Sequence, residues 1–344
     1  LTGVAVERGG DFPGDYLPLR AGECAGNFDR DDGHGVQVRE VNVAKSSKRA
    51  RRGIAASDGL NQMAGQAMKT EQIMTQTTRS LSDWIAFLDQ AELPVLKHSA
   101  RELVRMRGDD SLLNAHDVAA VVSDDPLLAV KLLRYMQRHK HRAAQGDLIG
   151  VTQSLLILGL DAFFRDVPAS PVVEDGLRGH LDALVNMLHT VRRAQRAAYY
   201  AYDWSLRMHE LHAEEVLLAA LLSHLGEMLM WCFNPEPMLD IYRRQLADPS
   251  LRSADIQQQV LGFTGMAFQR ELTQRWQLPE LLQQMTDPAL AHTPRVRNVM
   301  LAVNLARHSA NGWDNPALPD DIQQIAVLLR MEPDKVLALA RAHG

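Results

Sequence analysis

The sequence predicts an all-α fold: a compact, many-helix domain over residues 79–344, preceded by an irregular segment over residues 1–78. Three observations predict it. From Ser80 onward apolar residues recur with the 3.6-residue period of amphipathic helices. Asp125-Pro126, Thr293-Pro294 and Glu332-Pro333 each place proline at a first helical position, where its missing N–H would have no intrahelical partner anyway. Strand-like runs are scarce; Ile149-Gly-Val-Thr152 is the only tempting one, and it is short.

Taken in order, Ser82 is the expected N-cap of a helix carrying Trp84, Ile85 and Leu88. Asn114-Ala-His-Asp117 resembles a capping box with aspartate in place of glutamate, and leads into Val118, Val121 and Val122. Asp125-Pro126 opens Leu127-Leu-Ala-Val-Lys-Leu-Leu133. A helix from Leu184 to Tyr202 carries His189. The most apolar segment, Val216 to Phe233, contains His224 and Glu227. A membrane span wants roughly 20 apolar residues with few or no charges, so this segment reads as a buried helix. Thr293-Pro294 opens a helix with Val296, Val299, Met300 and Val303. The stretch Pro316 to Gly344 carries a helix pair with Ile322, Ile325, Val327, Leu328, Leu329, Val336, Leu337 and Leu339, expected to complete the core. Nothing repeats at the fixed period of a solenoid.

Residues 1–78 read differently. They begin LTGVAVERGGDFPGDYLPLR, are rich in glycine and sustain no apolar period, so disorder is expected. The chain opens on Leu1 while Met63, Met68 and Met74 lie downstream, which makes each of these a candidate natural start. An intact mass matching the full chain, measured on protein made from its own gene, would exclude that. The basic run Lys45 to Arg52 has the charge to grip nucleic-acid phosphates, although a solvated tail is the plainer reading. Affinity lost on removing residues 1–62, and falling steeply with salt, would mark DNA binding.

Bulk composition narrows the classes. Hydrophobic residues make up 46% and charged residues 23% of the 344, which is a globular balance. A net charge of -5 gives no whole-chain drive toward nucleic acid or anionic membrane, and aromatics at 6% give no stacking surface. Two cysteines, Cys24 and Cys232, are too few for a disulfide framework or a cysteine-rich zinc module. No signal-peptide pattern opens the chain, so a cytoplasmic location is expected, with no membrane partner.

Histidine, present 13 times, is where chemistry would be sought. His139 and His141 sit among Arg138, Lys140 and Arg142 and read as a charged helix end. His209 and His212, three apart, have the spacing to share a helical face, but two ligands make an incomplete zinc site. The chain has no H-E-x-x-H, glycine-rich phosphate loop or nucleophile elbow. No catalytic residue, resident metal or cofactor is expected.

Several segments together resemble the HDOD domain, an HD-related output domain of bacterial signalling proteins. Leu93-Pro94-Val-Leu is similar to that family's opening element. Val121-Val-Ser-Asp-Asp-Pro-Leu-Leu-Ala-Val-Lys-Leu-Leu-Arg134 is similar to its Asp-Pro-Leu helix, the most specific match. The family usually continues into an Asn-Ser pair, where Gln137-Arg138 stand here. Val151 to Gly159 is similar to a segment ending in Leu-Gly, and Leu188-His-Thr190 falls where the family often has His-Ser. Leu221 to Gly226 lies at the Leu-Leu-His-Asp-x-Gly element, and Trp276-Gln-Leu-Pro-Glu280 resembles the Trp-x-Leu-Pro-Glu signature. The resemblance covers about residues 93–282. It implies a helical N-terminal part packed on a part related to HD phosphohydrolases, and a regulatory role, since many members lack an intact metal site.

In an HD hydrolase a His, a His-Asp pair and a later Asp hold a divalent cation, which lowers the pKa of bound water to about 7. Carried onto this chain, the resemblance implies that the first position is His189, that the pair becomes Ser223-His224, and that the last Asp becomes Arg307. A guanidinium offers only donors and repels a cation. Val296, Met300, Val303 and Arg307 lie on one stripe, so Arg307 extends an apolar face; its head needs a partner there or must reach water. His224 and Glu227 are helical neighbours and are expected to form a hydrogen-bonded structural pair. A pocket for a non-metal anion, lined by Arg307, His189 and His224, is the sharper reading. The sequence therefore predicts a non-catalytic regulatory or scaffolding module of bacterial signal transduction, acting through contacts with an unidentified signalling protein. The alternative is an HD-type metal-dependent phosphohydrolase acting on a nucleotide or cyclic dinucleotide. Oligomeric state is not legible.

Overall fold

A computed structural model describes residues 79–108, 114–139 and 150–342. The expected disorder of residues 1–78, the basic run Lys45 to Arg52, Cys24 and the candidate starts all lie outside the described residues.

The described chain is all-α. Helix α1 spans Leu81–Gln90. Its cap is Ser80 and not Ser82: Ser80 Oγ accepts from the Asp83 backbone N–H at 3.2 Å, and the Asp83 carboxylate accepts from the Ser80 N–H at 3.2 Å. A capping box needs an acceptor three residues on. Ser80 finds Asp83 there, whereas Ser82 finds Ile85. Helix α2 (Lys97–Arg107) is followed by α3 (Ala115–Asp124), capped as expected by Asn114, whose Oδ1 accepts from Asp117 N at 2.9 Å.

Helix α4 (Pro126–Arg138) starts on Asp125, which is fully buried. Its Oδ1 accepts from Leu127 N at 2.9 Å and Leu128 N at 3.0 Å, the usual duty of an N-cap. Its Oδ2 accepts from Leu96 N at 2.8 Å, so the same carboxylate ties the start of α2 to the start of α4. Beside it, Val95 pairs with Val172 in an isolated parallel bridge, the β pairing found among the described residues. Ile149-Gly-Val-Thr152 is not a strand: Val151 and Thr152 form the first turn of α5 (Val151–Leu158), and Ile149 lies outside the described residues. Gly159, at φ 80°, turns the chain into α6 (Leu160–Asp166), and a short α7 (Val173–Gly176) follows. His139 caps the end of α4 and stacks on Tyr135 with centroids 4.2 Å apart; His141 and its basic neighbours lie outside the described residues.

Helix α8 (Leu181–Arg207) is the axis of the second part. Around it pack α9 (Ala213–Leu221), α10 (Leu225–Phe233) and α15 (Pro294–His308). The buried face of α8 runs through Ala194, Ala197, Ala198 and Ala201. Such small side chains let neighbouring backbones come close, and Asn298 of α15 uses this closeness to donate to Ala201 O at 3.0 Å. Helices α11 (Pro235–Ala247), α12 (Ser253–Leu261), α13 (Gly265–Arg275) and α14 (Glu280–Gln284) complete this part, α13 packing on α10 and α14 on α9. Thr293 opens α15 as expected, but its hydroxyl donates back to Leu290 O instead of capping. Helices α16 (Leu318–Leu329) and α17 (Pro333–Ala342) bury Leu318, Ile322, Ile325, Ala326, Val336 and Ala340, so the C-terminal pair joins the core.

Two expectations need correction. His209 and His212 do not share a helical face. They lie in the turn between α8 and α9, where His209 takes φ 56°. The apolar stretch around His224 is not one helix: Leu222 to His224 form a turn, and a new helix starts at Leu225. Among the described residues, Ala213–Phe233 is the one stretch long and apolar enough to cross a membrane, and most of it is buried inside the domain.

Candidate functional site

The break between α9 and α10 sets the site. Gln269 of α13 clamps it, with its side-chain oxygen accepting from Gly226 N at 2.7 Å and its amide donating to Leu222 O at 2.9 Å. Gly226 is needed for this approach. A Cβ there would lie 3.0 Å from a Phe268 ring carbon and 3.1 Å from Gln269 Oε1. The Leu-Gly of the motif is thus a place where another helix meets bare backbone.

Ser223 and His224 stand in the break. The Ser223 hydroxyl donates to Ala220 O at 2.8 Å, so the 2.9 Å contact with His224 Nδ1 has the imidazole as donor. His224 is only 6% exposed. Burial pushes its pKa down to about 4, against an opposing pull from Glu227 and with help from Arg193 and Arg307. It is therefore neutral at physiological pH.

The expected His224–Glu227 hydrogen bond does not form. The carboxylate of Glu227 faces α8 instead. Arg193 Nη2 donates to it at 3.1 Å, Thr190 Oγ1 stands 2.9 Å away, and Trp231 Nε1 reaches it at 3.4 Å. Burial would raise the Glu227 pKa, but the Arg193 charge, then His224 and the Thr190 and Trp231 bonds, hold it below the ordinary carboxylate value. The break rotates His224 out of the register that a continuous helix would impose, which is why the two residues part.

His189 lies on α8, half-buried, with its Nδ1 buried and no hydrogen-bond partner among the described residues. Burial, then Arg192 and Arg193, lowers its pKa. It does not line the cavity into which Ser223, His224 and Arg307 look. The structure thus brings three of the four inherited positions together and leaves the fourth aside.

Arg307 ends α15, half-buried. Its Nη2 meets His308 Nε2 at 2.9 Å, and His308 Nδ1 meets the buried Asp321 of α16 at 2.5 Å. A carboxylate only accepts, so Nδ1 carries the proton and Nε2 accepts from the guanidinium. An Asp321–His308–Arg307 chain therefore orients the cation. Sequence reasoning missed this chain, along with Arg193 and Gln269. The adjacent Arg307-His308 was a readable signal; Asp321 on another helix was not.

The cavity beside these groups encloses about 90 Å³. Its lining combines the half-buried Arg193, Ser223, Glu227 and Arg307 with the buried apolar Met230, Met238, Phe263, Phe268 and Leu282 and the buried polar His224, Gln269 and Thr286. Two guanidiniums and one carboxylate line it. Among the described residues no cluster of three or more His, Cys, Asp or Glu is placed to share a metal ion. Hard or borderline divalent ions want carboxylates and imidazoles, and this donor set does not fit one.

Comparison with known proteins comes to the same fold. A family model described as the HDOD domain matches residues 93–292. The MmoQ response regulator from Methylococcus capsulatus str. Bath superposes with a TM-score of 0.56 at 15% identity, over 70% of this chain and 98% of that one. A virulence factor from Campylobacter jejuni subsp. jejuni superposes with a TM-score of 0.54 at 18% identity, over 73% of this chain and 89% of that one. No curated protein matches the chain.

Proposed function

The chain belongs to the HDOD domain family, and from that premise we propose that it is a non-catalytic regulatory or scaffolding module of bacterial signal transduction that acts through protein contacts. The observation that carries this reading is the charge of the site. Glu227, the carboxylate beside the break, is engaged by Arg193, and Arg307 lines the same cavity. A divalent cation entering there would meet two guanidiniums and a neutral imidazole. The hydrolytic function of an HD site needs anionic ligands to hold its metal and lower the pKa of bound water.

A surface feature supports the protein-contact part. Leu181, Val185 and Leu188 repeat at four and three residues along α8 and are 66%, 49% and 37% exposed. Apolar residues in this register form one face of a helix, a common way to engage another helix or a groove.

The test combines elemental analysis of the purified protein with a phosphodiesterase assay on cyclic dinucleotides in added manganese. No stoichiometric metal and no turnover are expected. Stoichiometric iron or manganese, with turnover abolished by His189→Ala, would establish a hydrolase instead. On the contact side, Leu181→Asp with Val185→Asp is expected to remove partner capture from the source cell and leave the thermal melt within a few degrees of the parent.

A further inference from the structure

The geometry points to the cavity between α10, α13 and α15 as a binding site for a small apolar carboxylate, with its headgroup at Arg307 and its hydrocarbon part among the methionine and phenylalanine side chains. This inference rests on the non-catalytic reading and supplies it with a chemical input.

The cavity is amphipathic. Its lining combines the half-buried Arg193, Ser223 and Arg307 with the buried Met230, Met238, Phe263 and Phe268. A ligand that is anionic at one end and apolar at the other fits that combination. A fully polar ion such as phosphate would leave the buried apolar groups without a partner, and a hydrocarbon would leave the guanidiniums facing apolar groups. Methionine is flexible and polarisable, so this wall adapts to an alkyl chain.

Charge and shape select the headgroup. The lining holds two guanidiniums and one carboxylate, so a monoanion brings its charge into balance. A guanidinium presents parallel N–H donors that match a planar carboxylate. Arg307 is oriented for this by His308 and Asp321 rather than by packing alone. Arg193 keeps a buried Nε with no hydrogen-bond partner among the described residues, a second donor in the same lining. At about 90 Å³ the cavity is smaller than the roughly 150 Å³ apolar cavity that accepts benzene, so it encloses only about the last three or four carbons of a short chain, and the rest of a ligand of hexanoate length, with its carboxylate, lies at the wetter edge.

Isothermal titration of the full chain with hexanoate, hexanol and inorganic phosphate tests this. Hexanoate is expected to bind, and hexanol and phosphate each to bind at least about tenfold more weakly, as the loss of a charged hydrogen-bonded pair or of the apolar contact implies. Arg307→Met is expected to weaken hexanoate by about tenfold. Met266→Trp provides a second variant that does not disturb the cation. Met266 lines the cavity and is 38% exposed, so an indole there blocks the space at little cost to folding. It should abolish binding while the circular-dichroism melt stays near the parent's. No heat with hexanoate, hexanol binding as tightly as hexanoate, tighter binding of phosphate, or unchanged binding in Met266→Trp would each overturn the inference. Metal-dependent hydrolysis is measured on the same preparation. Turnover there would sink the non-catalytic reading, whereas absent turnover with absent hexanoate binding sinks only this inference.

Discussion

Asp125 and Glu227 are both carboxylates in the interior of the domain, and they are satisfied in opposite ways. Asp125 is fully buried and takes three backbone N–H donors, two from its own helix and one from Leu96. Burial outweighs those bonds and raises its pKa. Glu227 takes side-chain donors, chiefly Arg193 with Thr190 from another helix and Trp231 from its own, and is held below the ordinary carboxylate value despite its burial. Backbone amides are fixed by the fold and have no other task. Side-chain donors can be shared with a cavity, as Arg193 shares itself here. An interior charge answered by backbone therefore belongs to the scaffold, and one answered by mobile charged side chains marks the place where a ligand can compete.

The largest expected effect is on the scaffold side. Asp125→Ala removes a helix cap, worth up to about 2 kcal/mol, and strands the buried Leu96 N–H, worth about 1–3 kcal/mol more. The sum, roughly 4 kcal/mol, should appear in urea unfolding as a lowered midpoint with an unchanged slope. A loss below about 1 kcal/mol would mean that Asp125 is not the tie between α2 and α4.

The same contrast explains what was legible in the sequence. Asp125-Pro126 is a local signal: cap, proline and donors lie within four residues, and the expected helix follows in the structure. Asn114 and the C-terminal helix pair are of the same kind, whereas Thr293 precedes a helix that its side chain does not cap. The family pattern carried the order of the helices. The illegible part is non-local. Helical spacing paired His224 with Glu227, but spacing assumes a continuous helix, and the break at Leu222 to His224 depends on Gln269 more than forty residues away. Glu227 and Arg193 lie on different helices, so no window along the chain brings them together. Of the positions carried over from the HD pattern, Ser223, His224 and Arg307 line one cavity and His189 lies outside its lining.

The second expected effect is a pH dependence centred on the site. With its folded pKa at about 4 against an ordinary 6.5, His224 takes up a proton in the unfolded chain first. Its contribution is therefore fully present above pH 6.5 and is lost as pH falls from 6.5 toward 4, by up to about 3 kcal/mol. His189, also lowered by burial, tilts the curve the same way. Glu227 does not interfere in most of this window: its folded pKa is depressed, so its contribution is lost only as pH falls below its ordinary 4.5. Unfolding free energy measured between pH 7 and 5 should fall, and His224→Gln should flatten most of that slope. Asp125→Ala should lower the curve without flattening its fall toward acid, because the raised Asp125 pKa makes stability fall as pH rises above its ordinary 3.8 and so opposes the His224 slope. Equal slopes in the parent and His224→Gln would show that the imidazole is not held neutral by the fold.

The smallest stability effect is the most discriminating, because it separates the two kinds of carboxylate by sign. Glu227→Gln keeps the shape and the Thr190 contact but removes the charge that engages Arg193. The pair is partly exposed, at 20% and 17% of the two side chains, so the full cost of breaking a buried ion pair does not apply. A loss of about 1–2 kcal/mol is expected. The same change removes the one carboxylate of the cavity lining, so hexanoate should bind more tightly, by about tenfold if one unit charge at several ångströms is worth roughly 1–2 kcal/mol near a protein surface. Asp125→Asn has no route to such a gain, since its partners are backbone amides and the Ser99 hydroxyl, all away from the cavity. Thermal melts and titrations of these two variants therefore place them on opposite diagonals: stability alone lost at Asp125, stability exchanged for anion affinity at Glu227. If Glu227→Gln lost stability and gained no affinity, Glu227 would belong with Asp125 as a structural charge, and Arg193 would be its anchor and nothing more.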